Sequence, residues 1–186
     1  MSYYETYREL LQQTLLSVDL LKVEAVSEWL REARDGGKHV FICGNGGSAF
    51  TASHFATDLM KGASYGQQTR FRVLPLTDSM GTITAYANDL GYHVVFEEQL
   101  KNFAEPGDLL IAISGSGNSP NVLRAVEYAN SNGCRTVGLT GRDGGLIGPM
   151  VHLNVLAADP HKGRVEDAHA FICHMLAYGF MDHVPA

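Results

Sequence analysis

The stretch HVFICGNGGSA, residues 39–49, joins a short apolar run directly to a loop of glycine and hydroxyl residues. A short, bounded apolar run of this kind is typical of a buried strand in a parallel sheet. LLIAISGSGNS, residues 109–119, repeats the arrangement, and a helical pattern follows each loop. Repeated strand–loop–helix units predict a parallel sheet with helices on both faces, in which every strand-to-helix loop lies at one edge.

The rest of the chain extends this pattern to five strands. Further strands are expected at 71–76, 135–141 and 151–157, and a closing helix at 164–181. Residues 3–35 read as one helical segment, whose apolar stripe predicts packing against the core or a subunit interface. We therefore expect a doubly wound α/β fold, a three-layer sandwich with a five-stranded parallel sheet, as a single domain over residues 1–186.

Composition excludes several function classes. The net charge is −6 and no cluster of basic residues is present, which argues against nucleic-acid binding. No apolar run approaches the ~20 residues of a membrane span, and the polar start MSYYETYREL lacks the apolar core of a signal peptide. The three scattered cysteines are expected to be buried, reduced thiols of a cytoplasmic protein.

Both loops have the composition of anion sites. A glycine-rich turn that enters a helix exposes backbone N–H groups to an anion, and SGSGNS adds three hydroxyls that suit a phosphate monoester. GNGGSA also fits the dinucleotide pattern G-x-G-x-x-G/A, although the acidic residue at the next strand end, Asp78, follows about 30 rather than about 20 positions later. A solvated helix cap is the simplest alternative for SGSGNS. No Walker lysine follows either loop, which argues against triphosphate hydrolysis.

Histidines and carboxylates lie on the helices that follow the first loop and close the chain. His54 and Asp58 are spaced i,i+4 and share one helix face. Glu166 and His174 lie on the last helix with His169, which we expect beside the site or at the surface. Imidazoles and carboxylates are zinc ligands and acid–base groups near neutral pH. A histidine in the apolar run FICHML could equally be a core or interface residue.

The motifs GNGGSA, HFATDL, TAYANDLGY, ISGSGNSPNVLRAVEYA, GLTGRDGG and VEDAHAFICH, in this order and spacing, resemble the phosphoheptose isomerase family of sugar isomerase (SIS) domains. The resemblance covers nearly the whole chain. It implies a homotetramer in which residues 1–35 serve oligomerisation, and the aldose–ketose conversion of sedoheptulose 7-phosphate to D-glycero-D-manno-heptose 7-phosphate. Neither nucleic acid nor a membrane is an expected partner.

The resemblance also assigns site residues. It implies one zinc ion per subunit, held by His54, Asp58, Glu166 and His174, with Asp58, Glu166 and His174 as candidate catalytic groups. The implied substrate and phosphate contacts are Asn45, Gly46, Ser48, Asp89, Ser114, Gly115, Ser116 and Ser119.

Two positions depart from the family pattern, because Asp58 stands where glutamate is usual and Glu166 where glutamine is usual. Glu166 and His174 are also about 12 Å apart along a helix axis, so one ion could touch both only with extended side chains or a bent helix start. A different class of function also stays open. Some relatives, such as the replication-initiator-associating protein, are non-catalytic and bind a protein partner, and a binding module would not need Asp58, Glu166 and His174 together.

Overall fold

The computed structural model describes residues 1–182 and contains the predicted five-stranded sheet, in which all neighbouring strands are parallel. The spatial strand order is β2-β1-β3-β4-β5. The bounds are β1 His39–Gly44, β2 Arg72–Pro75, β3 Leu109–Ser114, β4 Arg135–Gly141 and β5 Leu153–Ala157. The doubly wound α/β class predicted from the sequence is therefore confirmed.

Helices cover both faces of this sheet. Their bounds are α1 Tyr3–Leu16, α2 Leu20–Asp35, α3 Gly47–Thr57, α4 Met80–Asp89, α5 Glu97–Phe103, α6 Pro120–Ser131, α7 Ile147–Met150 and α8 Lys162–Met181. A π-helical turn, Asp58–Gly62, continues α3, and a 3₁₀ turn, Tyr92–Val94, precedes α5. None of these helices is long and apolar enough to cross a bilayer.

Alternation along the strands builds two separate cores. Val40 and Ile42 of β1 pack with the buried residues of α2, α3 and α8 on one face, whereas Phe41 and Cys43 pack with those of α5 and α6 on the other. This period of two is what a strand buried on both faces produces. The three cysteines are buried free thiols, as predicted.

The N-terminal segment differs from the prediction. Residues 3–35 form two helices, because the chain breaks after Leu16 and the Asp19 carboxylate accepts a hydrogen bond from the N–H of Leu21, which caps α2. An N-terminal cap of this kind starts a new helix. The stripe read as continuous is thus divided, and the short helix α7 was not predicted at all.

Polar contacts fasten α1 to the start of α8. The Tyr7 hydroxyl donates to Asp167 at 2.5 Å, and the Thr14 hydroxyl donates to Asp159 at 2.5 Å. Asp159 also accepts two hydrogen bonds from the guanidinium of Arg164, at 2.7 and 2.8 Å. Both Asp159 and Arg164 are buried. The helix that carries Glu166 and His174 is therefore anchored at its first turn.

The two glycine-rich loops follow β1 and β3, which are neighbours in the sheet. From β1 the chain continues to β2 at one edge of the sheet, whereas from β3 it continues to β4 and β5 towards the other edge. The two loops therefore lead away from each other. Ligands of open α/β sheets bind in the crevice at such a reversal, beyond the carboxyl ends of the strands. The fold places both loops at that crevice.

Candidate functional site

A pair of asparagines joins the two glycine-rich loops. The Asn45 amide donates to Asn121 Oδ1 at 2.8 Å, and the Asn121 amide donates back to Asn45 Oδ1 at 2.9 Å. Asn121 lies in the first turn of α6 and is buried. The Tyr92 hydroxyl adds a third hydrogen bond, at 2.8 Å to Asn45 Oδ1. Asn45 was predicted as a substrate contact, and its side chain also ties the first loop to the helix after the second.

A cavity of about 300 Å³ lies between these loops. Its walls contain most of the predicted substrate and phosphate contacts, namely Asn45, Ser48, Ser114, Gly115, Ser116 and Ser119. Gly46 adopts a positive φ of 55° as the N-cap of α3, a conformation that glycine adopts readily. We call this space the phosphate cavity.

The hydroxyls of the second loop bond within the loop, where Ser114 pairs with Ser119 and the Ser116 hydroxyl accepts from the Asn118 N–H at 3.2 Å. Ser119 is the N-cap of α6, yet its side chain makes no capping hydrogen bond and lies 3.3 Å from the Ser114 hydroxyl. Pro120 occupies the first helical position, where its missing N–H costs nothing. A serine cap that does not bond its own helix leaves the hydroxyl and the helix N-terminus available to an anion.

Three charged side chains also line the phosphate cavity: Arg142, Lys162 and Glu166. Lys162 Nζ lies 3.6 Å from Glu166 Oε1, one helical turn away on α8. Glu166 reaches the cavity over Gly47, where an added Cβ would come within 3.0 Å of the Glu166 carboxylate. The absence of a side chain at Gly47 thus leaves room for the carboxylate of α8.

A second cavity, of about 160 Å³, lies between α3 and α8 and holds His54, Asp58 and His174. One ligand atom from each of these side chains lies within 4.8 Å of the other two. His54 Nε2 is 3.6 Å and His174 Nε2 is 4.0 Å from Asp58 Oδ2. We call these three residues the histidine cluster.

The histidine cluster fits a divalent metal ion. Asp58 Oδ2 is buried and has no hydrogen-bond partner within residues 1–182, an arrangement that is costly unless a cation compensates it. Two imidazoles and one carboxylate are a donor set of catalytic zinc sites, which keep a fourth position open. Asp58 also begins the π-helical turn, and such turns occur frequently at functional sites.

Glu166 and Asp89 lie apart from the partners that the sequence predicted for them. Glu166 lines the phosphate cavity and is not part of the histidine cluster. The reason is the distance of about 12 Å between Glu166 and His174 along the axis of α8. Asp89 is exposed at the end of α4, where its carboxylate accepts a hydrogen bond from Asn88 at 2.8 Å, and it lines neither cavity. The neighbouring Tyr92 is the residue of this segment that reaches the site.

His169 is buried, with 1% of its surface exposed, so the expected alternative of a surface position does not hold. Burial lowers the pKa of His169 to about 4, against the opposing effect of the Thr140 carbonyl. The imidazole therefore stays neutral in the interior and supplies no charge to the site.

The sequence of the chain is similar to that of known proteins. Residues 2–141 match the SIS domain family. A phosphoheptose isomerase of Aliarcobacter butzleri is 40% identical over 157 residues, which cover 83% of this chain and 81% of that protein. A second, of Geotalea daltonii, is 38% identical over 155 residues, covering 83% of this chain and 80% of that protein.

The chain belongs to the phosphoheptose isomerase family of SIS domains.

Solved members of the phosphoheptose isomerase family share the fold. The Neisseria gonorrhoeae enzyme superposes with a TM-score of 0.85 at 29% identity, covering 96% of this chain and 94% of that one. The Francisella tularensis enzyme gives a TM-score of 0.89 at 25% identity, covering 97% and 95%. The match extends over the N-terminal helices as well as the sheet, since almost the whole chain is covered.

For this member of the phosphoheptose isomerase family, the sequence did not reveal four residues that contribute to the site. Arg142 and Lys162 bring cations to the phosphate cavity, and Asn121 and Tyr92 bond Asn45. Asn121 stands next to Pro120 in the predicted helix start, so its place beside the loop was a usable signal. Nothing in the sequence joins Tyr92 to a loop 47 positions earlier.

Proposed function

We propose that the protein interconverts sedoheptulose 7-phosphate and D-glycero-D-manno-heptose 7-phosphate. The observation that carries the proposal is the phosphate cavity, which is lined by the hydroxyls at the N-terminus of α6 and by Glu166. Membership of an isomerase family supports an enzyme over a binding module. The chain also has all three residues Asp58, Glu166 and His174, which a non-catalytic relative would not need.

In this proposal the phosphate end of the sugar is held by the second loop. Ser114, Ser116 and Ser119 donate hydroxyl hydrogen bonds to phosphoryl oxygens, and the N-terminus of α6 adds its dipole. Asn45 and Ser48, from the first loop, line the same cavity and are then placed against the carbon chain. Binding the phosphate fixes the position of the reacting end, because positioning lowers the entropic part of the barrier.

Glu166 is the proposed acid–base residue. It removes a proton from C1 of the ketose, and returns it to C2 of the enediol, while a second proton moves from O1 to O2. Its carboxylate is the one in the wall of the phosphate cavity, and it is free of the histidine cluster. The Lys162 ammonium, 3.6 Å away, balances the charge that a carboxylate base carries.

His54, Asp58 and His174 are the proposed ligands of one zinc ion. Zinc at this position supplies Lewis-acid polarisation of the substrate's carbonyl group. A second assignment has one observation in its favour, since His174 Nε2 lies 4.0 Å from Asp58 Oδ2. Without a metal, this imidazole–carboxylate pair would carry the proton instead of Glu166. Metal analysis of the purified protein separates the two assignments.

The proposal also covers the oligomeric state and the cellular compartment of the protein. Leu16, Leu20 and Leu21 are exposed on the N-terminal helices, with 86%, 58% and 76% of their surface accessible. We propose that residues 1–35 bury them against other subunits of a homotetramer, and sedimentation that finds a monomer would contradict this. The reduced cysteines suit the cytoplasm.

The test is a solvent-exchange assay with sedoheptulose 7-phosphate in deuterated water. We expect the aldose product, deuterium at C2, and stoichiometric zinc in the active protein. Glu166→Gln should stop exchange while phosphate still binds. Other C5–C7 sugar phosphates, run in parallel, measure selectivity. Absence of exchange with every sugar phosphate would contradict the proposed function, and full exchange by Glu166→Gln would reassign the base.

A further inference from the structure

Arg142 has an unusual backbone conformation at the edge of the phosphate cavity. Its φ is 58°, the one positive value at a non-glycine residue within residues 1–182. Gly144 and Gly145, in the same turn after β4, also have positive φ values, so the turn favours glycine. Strained non-glycine residues cluster at functional sites, where the side chain offsets the strain. The side chain of Arg142 therefore requires an explanation.

The turn that carries Arg142 is fixed against the phosphate-binding loop. The Ile147 N–H donates to the Gly117 carbonyl at 2.9 Å, and the Leu146 N–H donates to Asn118 Oδ1 at 3.1 Å. A Cβ on Gly117 would come within 2.1 Å of the Gly144 carbonyl oxygen, so the two backbones are in direct contact. The position of Arg142 relative to the serine hydroxyls is thus set by the fold.

Arg142 lines the phosphate cavity with Ser114, Ser116 and Ser119. Together with Ser116 it also lines a neighbouring cavity of about 480 Å³. The arginine salt bridges formed within residues 1–182 belong to other arginines. Lys162, the second cation of the wall, faces Glu166.

The charges of the cavity require a cation at the phosphate end. A phosphate monoester carries about −1.5 to −2 at neutral pH, whereas the loop serines are neutral and Glu166 adds a negative charge. The protein as a whole has a net charge of −6. A guanidinium neutralises phosphate and can donate two parallel hydrogen bonds to its oxygens.

We infer that Arg142 binds the phosphate of the substrate and closes that end of the cavity, as a substrate-binding residue outside the predicted loops. This inference rests on the proposed function, since it concerns the same phosphate. It explains why the turn keeps an arginine at a position suited to glycine. The guanidinium contacts phosphoryl oxygens and takes no part in proton transfer.

The test compares Arg142→Gly and Arg142→Lys with the unchanged protein. Arg142→Gly relieves the left-handed backbone, so its melting temperature should stay equal or rise. Its KM for sedoheptulose 7-phosphate should rise ~10- to 100-fold, the range of a lost charge-assisted contact, with kcat nearly unchanged. Arg142→Lys keeps the charge and should recover a large part of the affinity. Arg70→Gln, an exposed arginine outside both cavities, is the matched control and should leave KM unchanged.

Calorimetric titration with inorganic phosphate provides a readout that does not need turnover. Phosphate binding should weaken in Arg142→Gly and persist in Arg70→Gln. An unchanged KM and phosphate affinity in Arg142→Gly would overturn the inference while the isomerase activity stands. Absence of turnover in the unchanged protein, with phosphate binding still sensitive to Arg142, would instead contradict the proposed function alone.

Discussion

The phosphate cavity and the histidine cluster are built on opposite physical principles. In the phosphate cavity the two loops are held by contacts within the protein, since Asn45 and Asn121 bond each other and the loop backbones bond each other. In the histidine cluster Asp58 Oδ2 is buried without a partner among residues 1–182. One region is therefore ordered before its ligand arrives, and the other is electrostatically incomplete until a cation binds. We therefore expect a bound ligand to stabilise the histidine cluster more than the phosphate cavity.

The largest effect is expected from breaking the histidine cluster. His174→Gln removes one of its two imidazoles and should lower kcat at least ~100-fold, together with zinc content. Calorimetry should find inorganic phosphate binding unchanged, because His174 does not line the phosphate cavity. His93→Gln, an exposed histidine outside both cavities, is the control for a general effect of losing an imidazole. A parallel loss of phosphate binding would show that the two regions are not independent.

The unpaired oxygen of Asp58 provides a sharper comparison. Asp58→Asn replaces a half-buried carboxylate, whose Oδ2 lacks a hydrogen-bond partner within residues 1–182, by a neutral amide, so the zinc-free protein should lose little stability. Zinc affinity should fall by a factor of about ten or more, because the anionic ligand is lost. Thermal denaturation with and without zinc measures both effects. A zinc-free Asp58→Asn protein that melts well below the parent would contradict the view that the histidine cluster is electrostatically incomplete without a cation.

A moderate effect is expected when the hydroxyls of the second loop are removed. Ser116→Ala and Ser119→Ala should each weaken sugar-phosphate binding by roughly 1–3 kcal/mol. Stability should barely change, because the Ser119 side chain makes no helix-capping bond. The measurements are KM, phosphate titration and the melting temperature. Unchanged sugar-phosphate affinity in the double variant would show that the phosphate binds in another part of the molecule.

The smallest effect concerns pH and the contact between α1 and α8. The Arg164 guanidinium, with Thr14 and the His161 N–H, lowers the pKa of Asp159 from 3.8 to about 2. The pKa of Asp159 is lower in the folded than in the unfolded chain. Its contribution to the free energy of unfolding is therefore complete well above pH 3.8 and is lost as the pH falls towards 2. It should amount to about 1–2 kcal/mol.

Thr14→Val and the parent, unfolded by urea at about pH 7 and at about pH 2.5, test this contribution. The stability difference between them should begin to shrink at the lower pH, which lies between the unfolded pKa of 3.8 and the folded pKa of about 2. A difference that is the same at both pH values would show that Thr14 acts by packing alone.

The sequence predicted those features that local pattern determines. Bounded apolar runs located the five strands, and the glycine loops followed directly from them. The i,i+4 spacing placed His54 with Asp58. His174 joins them because α8 packs against α3, a tertiary contact that no local spacing encodes. Glu166 was assigned to the same ion by resemblance, and the axial separation along α8 already argued against a single shared position.

Other features depend on contacts that form only in the folded chain. The break at residues 17–19 was missed because the apolar pattern continues past it, and a capping aspartate decided the outcome. Arg142 sits in a turn whose sequence, RDGG, indicates only a change of direction. Its relation to the phosphate depends on backbone contact between two loops that follow different strands. Tyr92 likewise reaches Asn45 only through the fold.

The space left by Gly47 affects which substitutions the first loop can accept. Because a Cβ at this position would come within 3.0 Å of the Glu166 carboxylate, the residue permitted in the first loop depends on the residue present in α8. Gly47→Ala should displace the carboxylate slightly, whereas the same change beside a shorter residue at position 166 should be accommodated. The effects of substitutions at the two positions, 119 residues apart in the chain, should therefore not be additive.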